Sequence, residues 1–130
     1  MLTLAVVLIA VVFLFIRSNN TVGAKTSQEA ARGFVEAVNS DDYEKASNYV
    51  YYENDDIRKD VKKELKDKDK IQTSLHRHMY KTYKDYKIVS VDELGDEARV
   101  TLKRESEPGK IVYSDFKMKK VDDRWYCDIM

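Results

Sequence analysis

The stretch YKIVSVDELGDEARVTLKRESEPGKIVYSDFKMKKVDDRWYCDI, residues 86–129, decides the fold. Its apolar side chains recur at every second position. Ala98, Val100 and Leu102 alternate with polar residues, as do Trp125, Cys127 and Ile129, which is the period of strands with one buried face. Four strands are expected: Tyr86 to Leu94, Ala98 to Arg104, Ile111 to Lys120 and Arg124 to Ile129. Gly95-Asp96, Pro108-Gly109 and Asp122-Asp123 separate them by only a few residues. Such intervals suit antiparallel hairpins and are too short for a parallel crossover.

Upstream the period becomes helical. Thr26 followed by Glu29 fits a capping box, and Ala30, Phe34, Val35 and Val38 share a face until Asn39-Ser40-Asp41-Asp42 interrupts. Asp41 or Asp42 can cap a shorter helix in which Tyr43, Ala46, Tyr49 and Val50 lie on one side. Between Asn54 and Lys70 the chain is mostly charged, yet Ile57, Val61 and Leu65 sit four apart. Ile71, Leu75, Met79 and Tyr83 resume that spacing after a disturbance at Asp67 to Asp69. A narrow stripe facing a core and a solvated remainder follow from this pattern. Two to four helices ahead of a four-stranded antiparallel meander predict an α+β domain.

The N-terminus reads differently. Leu2 to Ile16 are apolar except for Thr3 and span roughly 22 Å as a helix, short for a membrane crossing. A transmembrane anchor helped by Arg17 is the leading expectation, and a signal segment cleaved after Ala24 is the alternative. The expected organisation is residues 1–17 as anchor or signal, 18–25 as a polar linker, and 26–130 as the domain. No Lys or Arg precedes the apolar run, whereas Arg17, Lys25 and Arg32 follow it. Charge bias taken alone would set the domain in the cytoplasm.

Across the 130 residues, 23 basic and 23 acidic side chains cancel. No segment carries the basic excess that a phosphate backbone demands, so nucleic acid is not an expected partner. Cys127 is the lone cysteine, which excludes an intramolecular disulfide. His76 and His78, two apart on a helix, would point about 200° from one another and could not chelate one metal together. No nucleophile motif or phosphate loop is present around Ser74, Ser114 or the four glycines. No catalytic residue, cofactor or metal is therefore expected, and the chain is read as non-enzymatic.

Three strings carry a family likeness. Ala31-Arg32-Gly33-Phe34-Val35-Glu36-Ala37-Val38 leads into Asp41-Asp42-Tyr43-Glu44-Lys45-Ala46. Asp96-Glu97-Ala98-Arg99-Val100 and Val121-Asp122-Asp123-Arg124-Trp125-Tyr126 mark a central strand and a closing hairpin. Together they resemble the nuclear transport factor 2-like superfamily, and more narrowly small bacterial lipoproteins and membrane-anchored proteins of unknown function. The resemblance covers roughly residues 27 to 130. It implies a curved sheet wrapped around helices into a cone, at the cell membrane and facing outward. This sequence departs from the lipoproteins in having no cysteine near residue 20, so an apolar helix must anchor it.

Within such a cone, Tyr49, Tyr52, Tyr83, Tyr113 and Trp125 are the candidate lining of a pocket or groove. The expected role is a membrane-anchored envelope accessory protein that binds another protein through its sheet face or cone mouth. The alternative is a small-molecule sensor or carrier using the tyrosine-lined pocket.

Overall fold

A computed structural model describes residues 22–66 and 74–130. The anchor expected at Leu2 to Ile16 lies outside the described residues, as do Asp67 to Asp69 and Ile71. Among the described residues no helix is long and apolar enough to cross a membrane.

The described chain is α+β: α1 (Ser27–Asn39), α2 (Tyr43–Ser47), α3 (Asp55–Lys66) and α4 (Ser74–Tyr83), then β1 (Lys87–Leu94), β2 (Glu97–Glu107), β3 (Lys110–Val121) and β4 (Arg124–Asp128). The strands form one open antiparallel sheet in sequence order. We call the end with turns 95–96 and 122–123 the upper end, and the end with turn 108–109 the lower.

Turn chemistry explains the meander. Asp122 and Asp123 both take positive φ, 52° and 62°, as a type I′ hairpin requires, and Asp tolerates that region without glycine. Gly95 has φ 65° at the first central position of its turn. Gly109, at φ 81°, follows Pro108 in the order of a type II turn. That turn twists against the strands, and the register shifts nearby, between Glu105 and Glu107. A second irregularity falls between Ile88 and Ser90, where Val89 is the extra residue.

Thr26 caps α1 through its side chain, accepting from the Glu29 N–H at 3.1 Å. At the other end, the Asp41 N–H donates to the Val38 carbonyl and the Asp42 N–H to the Ala37 carbonyl, a Schellman closure with Asp41 at φ 57°. Asp42 then caps α2 by accepting from the Lys45 N–H. The tight break expected at Asn39 to Asp42 thus ends one helix and starts the next within three residues.

The same corner grips the entry to the sheet. Asn39 accepts from the Asp85 N–H at 2.8 Å and donates to the Tyr86 carbonyl at 3.1 Å. Lys84 reaches the Asn39 carbonyl at 3.0 Å and the Asp41 carboxylate at 2.8 Å, a cation at the negative end of α1. Phe34, Val38, Val50, Met79, Val100, Leu102 and Met118 fill the core between helices and sheet.

The stripe on α3 is shorter than its sequence suggests. Val61 and Leu65 pack against the core, whereas Ile57 is exposed because α3 touches the body through a charged residue. The Arg58 guanidinium lies 5.5 Å from the Tyr52 ring and 5.6 Å from the Tyr126 ring, fixing the start of α3 by cation–π contact. One residue of the charged remainder, expected to be solvated, thus helps to hold the helix.

Asn39→Ala should lower the unfolding free energy by about 1–2 kcal/mol through loss of its two bonds to the 85–86 turn. Asp55→Ala, which removes an exposed carboxylate paired with Arg58 in the first turn of α3, should cost about 1 kcal/mol or less. Urea unfolding of both variants checks the contrast.

Candidate functional site

Strand alternation gives the sheet two unlike faces. Val100 and Leu102 of β2 and Phe116 and Met118 of β3 point toward the helices and are buried. Arg99, Lys103, Tyr113, Asp115 and Lys117 point the other way and are exposed. The upper half of this outer face is covered by charge, including an Arg99–Asp115 pair at 3.1 Å and Lys119 over the Tyr51 ring at 3.9 Å.

The lower half is different. Ile111 and Tyr113, two apart on β3, are 53% and 65% exposed. Tyr113 sits opposite Lys103 and Ile111 opposite Glu105 on β2. Next to Ile111 opens a groove of about 620 Å³ bordered by Asp85, Lys87, Lys103, Arg104 and Glu105. It exists because β1 begins only at Lys87, opposite Lys103, so β2 from Arg104 to Glu107 runs on without a strand on that side. The Arg104 guanidinium lies over the Tyr86 ring at 5.1 Å. Its Nε is buried and has no acceptor among the described residues. An apolar patch on the β2-paired lower part of β3, continuous with a cation-rimmed groove, is the candidate site.

The five aromatic residues singled out from the sequence do not share one surface. Tyr83 is buried edge-to-face against Phe34 and Phe116, and desolvation pushes its phenol up to about 12. Tyr52 is buried under Arg58. Its hydroxyl has no partner among the described residues; burial raises its pKa and Arg58 partly opposes that rise. Trp125 is buried, its backbone paired with Ala24. Tyr49 is half-buried with its ring tip against Gly33, and desolvation followed by the Glu36 charge raises its pKa. Tyr113 alone of these five is on the outer face. None of the five borders the groove.

Other candidate chemistry is dispersed. His78 is exposed, 5.6 Å from Tyr83 ring to ring, while the His76 side chain lies outside those described. Cys127 is fully buried, and burial alone drives its thiol well above the usual range. Among the described residues no three His, Cys, Asp or Glu side chains are grouped to hold a metal.

Lys87, Lys103 and Arg104 drew no attention in the sequence. Lys87 and Lys103 look like ordinary solvent-facing strand residues and Arg104 follows the buried parity of Val100 and Leu102, so only the register brings the three to one groove.

A family model described as "Domain of unknown function (DUF4878)" matches residues 20–128. No curated protein matches the chain.

Two outcomes follow from the tyrosine environments. Gly33→Ala should destabilise the domain by about 1 kcal/mol or more, because a Cβ there overlaps the Tyr49 ring. In a Tyr49→Ala background the same change should stabilise by up to about 1 kcal/mol through helix propensity. Thermal unfolding of this double-mutant cycle checks the reversal of sign. Raised tyrosine pKa values also set an alkaline limit. Above pH 10, the ordinary phenol value, the unfolded chain loses protons that the folded Tyr83 keeps until about 12. Stability should be intact below that window and fall as pH rises through it, measured as the urea midpoint against pH.

Proposed function

The chain belongs to the DUF4878 family, and on that premise we propose that it is a membrane-anchored cell-envelope accessory protein whose domain binds another protein and catalyses no reaction. The observation that carries this reading is the exposed pair Ile111 and Tyr113 on a stretch of β3 that is paired with β2 on one side only, beside an open groove. Aromatic and apolar side chains on a rigid surface are what a protein interface buries at its centre. In this reading Leu2 to Ile16 tether the chain to a bacterial cell membrane through a short linker, and the domain is extracytoplasmic.

Retention of the tether, rather than secretion after cleavage at Ala24, has its own support. Arg124 donates from Nε to the Val22 carbonyl at 2.7 Å and from Nη2 to the Gly23 carbonyl at 3.1 Å, and Ala24 pairs with Trp125 through two backbone bonds. Cleavage after Ala24 would strip these residues from the edge of β4. A nuclear transport factor 2-like arrangement is the finer fold reading. Helices preceding a meander favour it, as do irregularities at Val89 and Ser106 of the kind that bend a sheet.

A second reading, a small-molecule carrier, rests on a groove of about 440 Å³ between α1 and β1, where Val35, Tyr86, Ile88 and Val91 supply apolar surface.

The test places a photo-crosslinking residue at Tyr113 or, as control, at Lys63 on α3, in intact cells carrying a C-terminal tag. A discrete protein adduct from position 113 only, with the tag digestible from outside wall-stripped cells, is expected. Protein adducts absent from both positions would overturn the reading, and a protease-resistant tag would move the domain to the cytoplasm.

A further inference from the structure

We propose that the groove at the lower end of the sheet is a carboxylate-binding notch, which seats an extended acidic segment of a protein partner on Arg104, Lys87 and Lys103. The proposal rests on the protein-binding reading and names the chemistry of the partner.

Two features of this groove oppose the stability of the free protein. Lys87 and Lys103 stand directly opposite one another across β1 and β2. Like charges in that position repel. Neither lysine, nor Arg104, makes an ion pair among the described residues. The buried Arg104 Nε, with no acceptor, leaves a charged donor desolvated and unpaid by any bond. Stacking on Tyr86 holds that guanidinium in place without satisfying it. An anion in the groove gives the two ammonium groups a common counter-charge, and the part of the Arg104 guanidinium that borders the groove adds a third cation beside it.

The charge of the lining selects the kind of anion. Three cations face two carboxylates, Asp85 and Glu105, which leaves a single net positive charge. That balance suits a monoanionic carboxylate better than a dianionic phosphate. Glu105 is also engaged elsewhere, accepting from the Gly109 N–H at 3.0 Å in the turn.

Backbone geometry selects an extended shape. Beyond Lys103, β2 has a free edge from Arg104 to Glu107 on its β1 side. A segment laid there continues the line of β1 and pairs with that edge, in the manner of strand addition. Ile111 borders the same groove and offers contact to an apolar neighbour of the acidic residue.

The full chain in detergent micelles is titrated with a blocked tetraglutamate peptide and separately with inorganic phosphate. Affinity is read by calorimetry and position by amide shifts. Expected are peptide binding that weakens with salt, shifts centred on Lys87 and on Arg104 to Glu107, and a loss of tenfold or more in both Arg104→Gln and the Lys87→Gln/Lys103→Gln double variant. The Lys117→Gln/Lys120→Gln control, at the other end of the sheet, should bind as the parent does. Without peptide, Lys103→Gln should raise the melting temperature, since it removes the opposed charge; a fall would contradict the assignment.

Peptide binding that is absent, or indifferent to Arg104 and the lysines, overturns the proposal. So does phosphate binding as tight as the peptide's with the same variant dependence, which would make this a site for a small oxyanion. A protein adduct at position 113 that persists in Arg104→Gln, with no peptide binding, would sink the notch and leave the protein-binding reading standing. Peptide binding without any adduct in cells would do the reverse.

Discussion

Phe34 on α1, Tyr83 at the end of α4 and Phe116 in the middle of β3 meet edge-to-face, with centroids 5.4, 5.5 and 5.6 Å apart. Each such contact contributes about 0.5–1.5 kcal/mol beyond the area it buries. More depends on the rings than that energy, because they join three segments that are far apart in sequence. Around Phe34 the buried face of α1 is small: Ala30, Ala31 and Ala37 carry no side chain beyond Cβ. The helix can therefore lie close against β1 and β4 at once, with Ser27 bonded to Glu93 at the rim of the sheet. Gly33 extends the same logic to Tyr49, whose ring occupies the space a Cβ would need.

The architecture was legible because burial on one face leaves a period, and residues 86–129 keep a period of two over most of the four strands, broken at Val89 and Ser106. Even the hairpins could be read from Gly95-Asp96, Pro108-Gly109 and Asp122-Asp123, each now seen at a turn. What the period does not carry is register. A two-residue loop at 95–96 without irregularity would set Ile88 opposite Lys103. The extra residue at Val89 moves Lys87 there instead, and the cation groove follows from that one displacement. An irregularity of this kind reflects local twist and packing, and leaves little trace in hydrophobic pattern.

Aromatic residues were legible as important but not as a set. Tyr113 and Phe116 differ in parity along β3, so alternation alone assigns them to opposite faces. Tyr49, Tyr52 and Tyr83 belong to irregular or helical segments whose approach to the sheet depends on tertiary packing. Arg58 shows the same limit from the polar side: in a run of charge it reads as solvated, yet its guanidinium rests on two rings. Long cationic side chains can bury their length and planar head while the surrounding pattern still looks exposed.

The closure of β4 by residues 22–24 has a consequence for the order of events during synthesis. The bonds from Arg124 to Val22 and Gly23 join positions about a hundred residues apart, and the Ala24–Trp125 pair does the same. The Tyr51 N–H and Tyr49 carbonyl also pair with Cys127. These bonds therefore wait until the last strand has left the ribosome, although the Gly23 N–H can already donate to the Asn48 carbonyl. Helices α1 and α2 can form early from local contacts, but the sheet edge they abut stays unsealed until residues 124–127 arrive. During that interval the nascent chain presents Val50 and the inner faces of β2 and β3 to its surroundings, so its period of greatest susceptibility to misassociation comes at the end of translation.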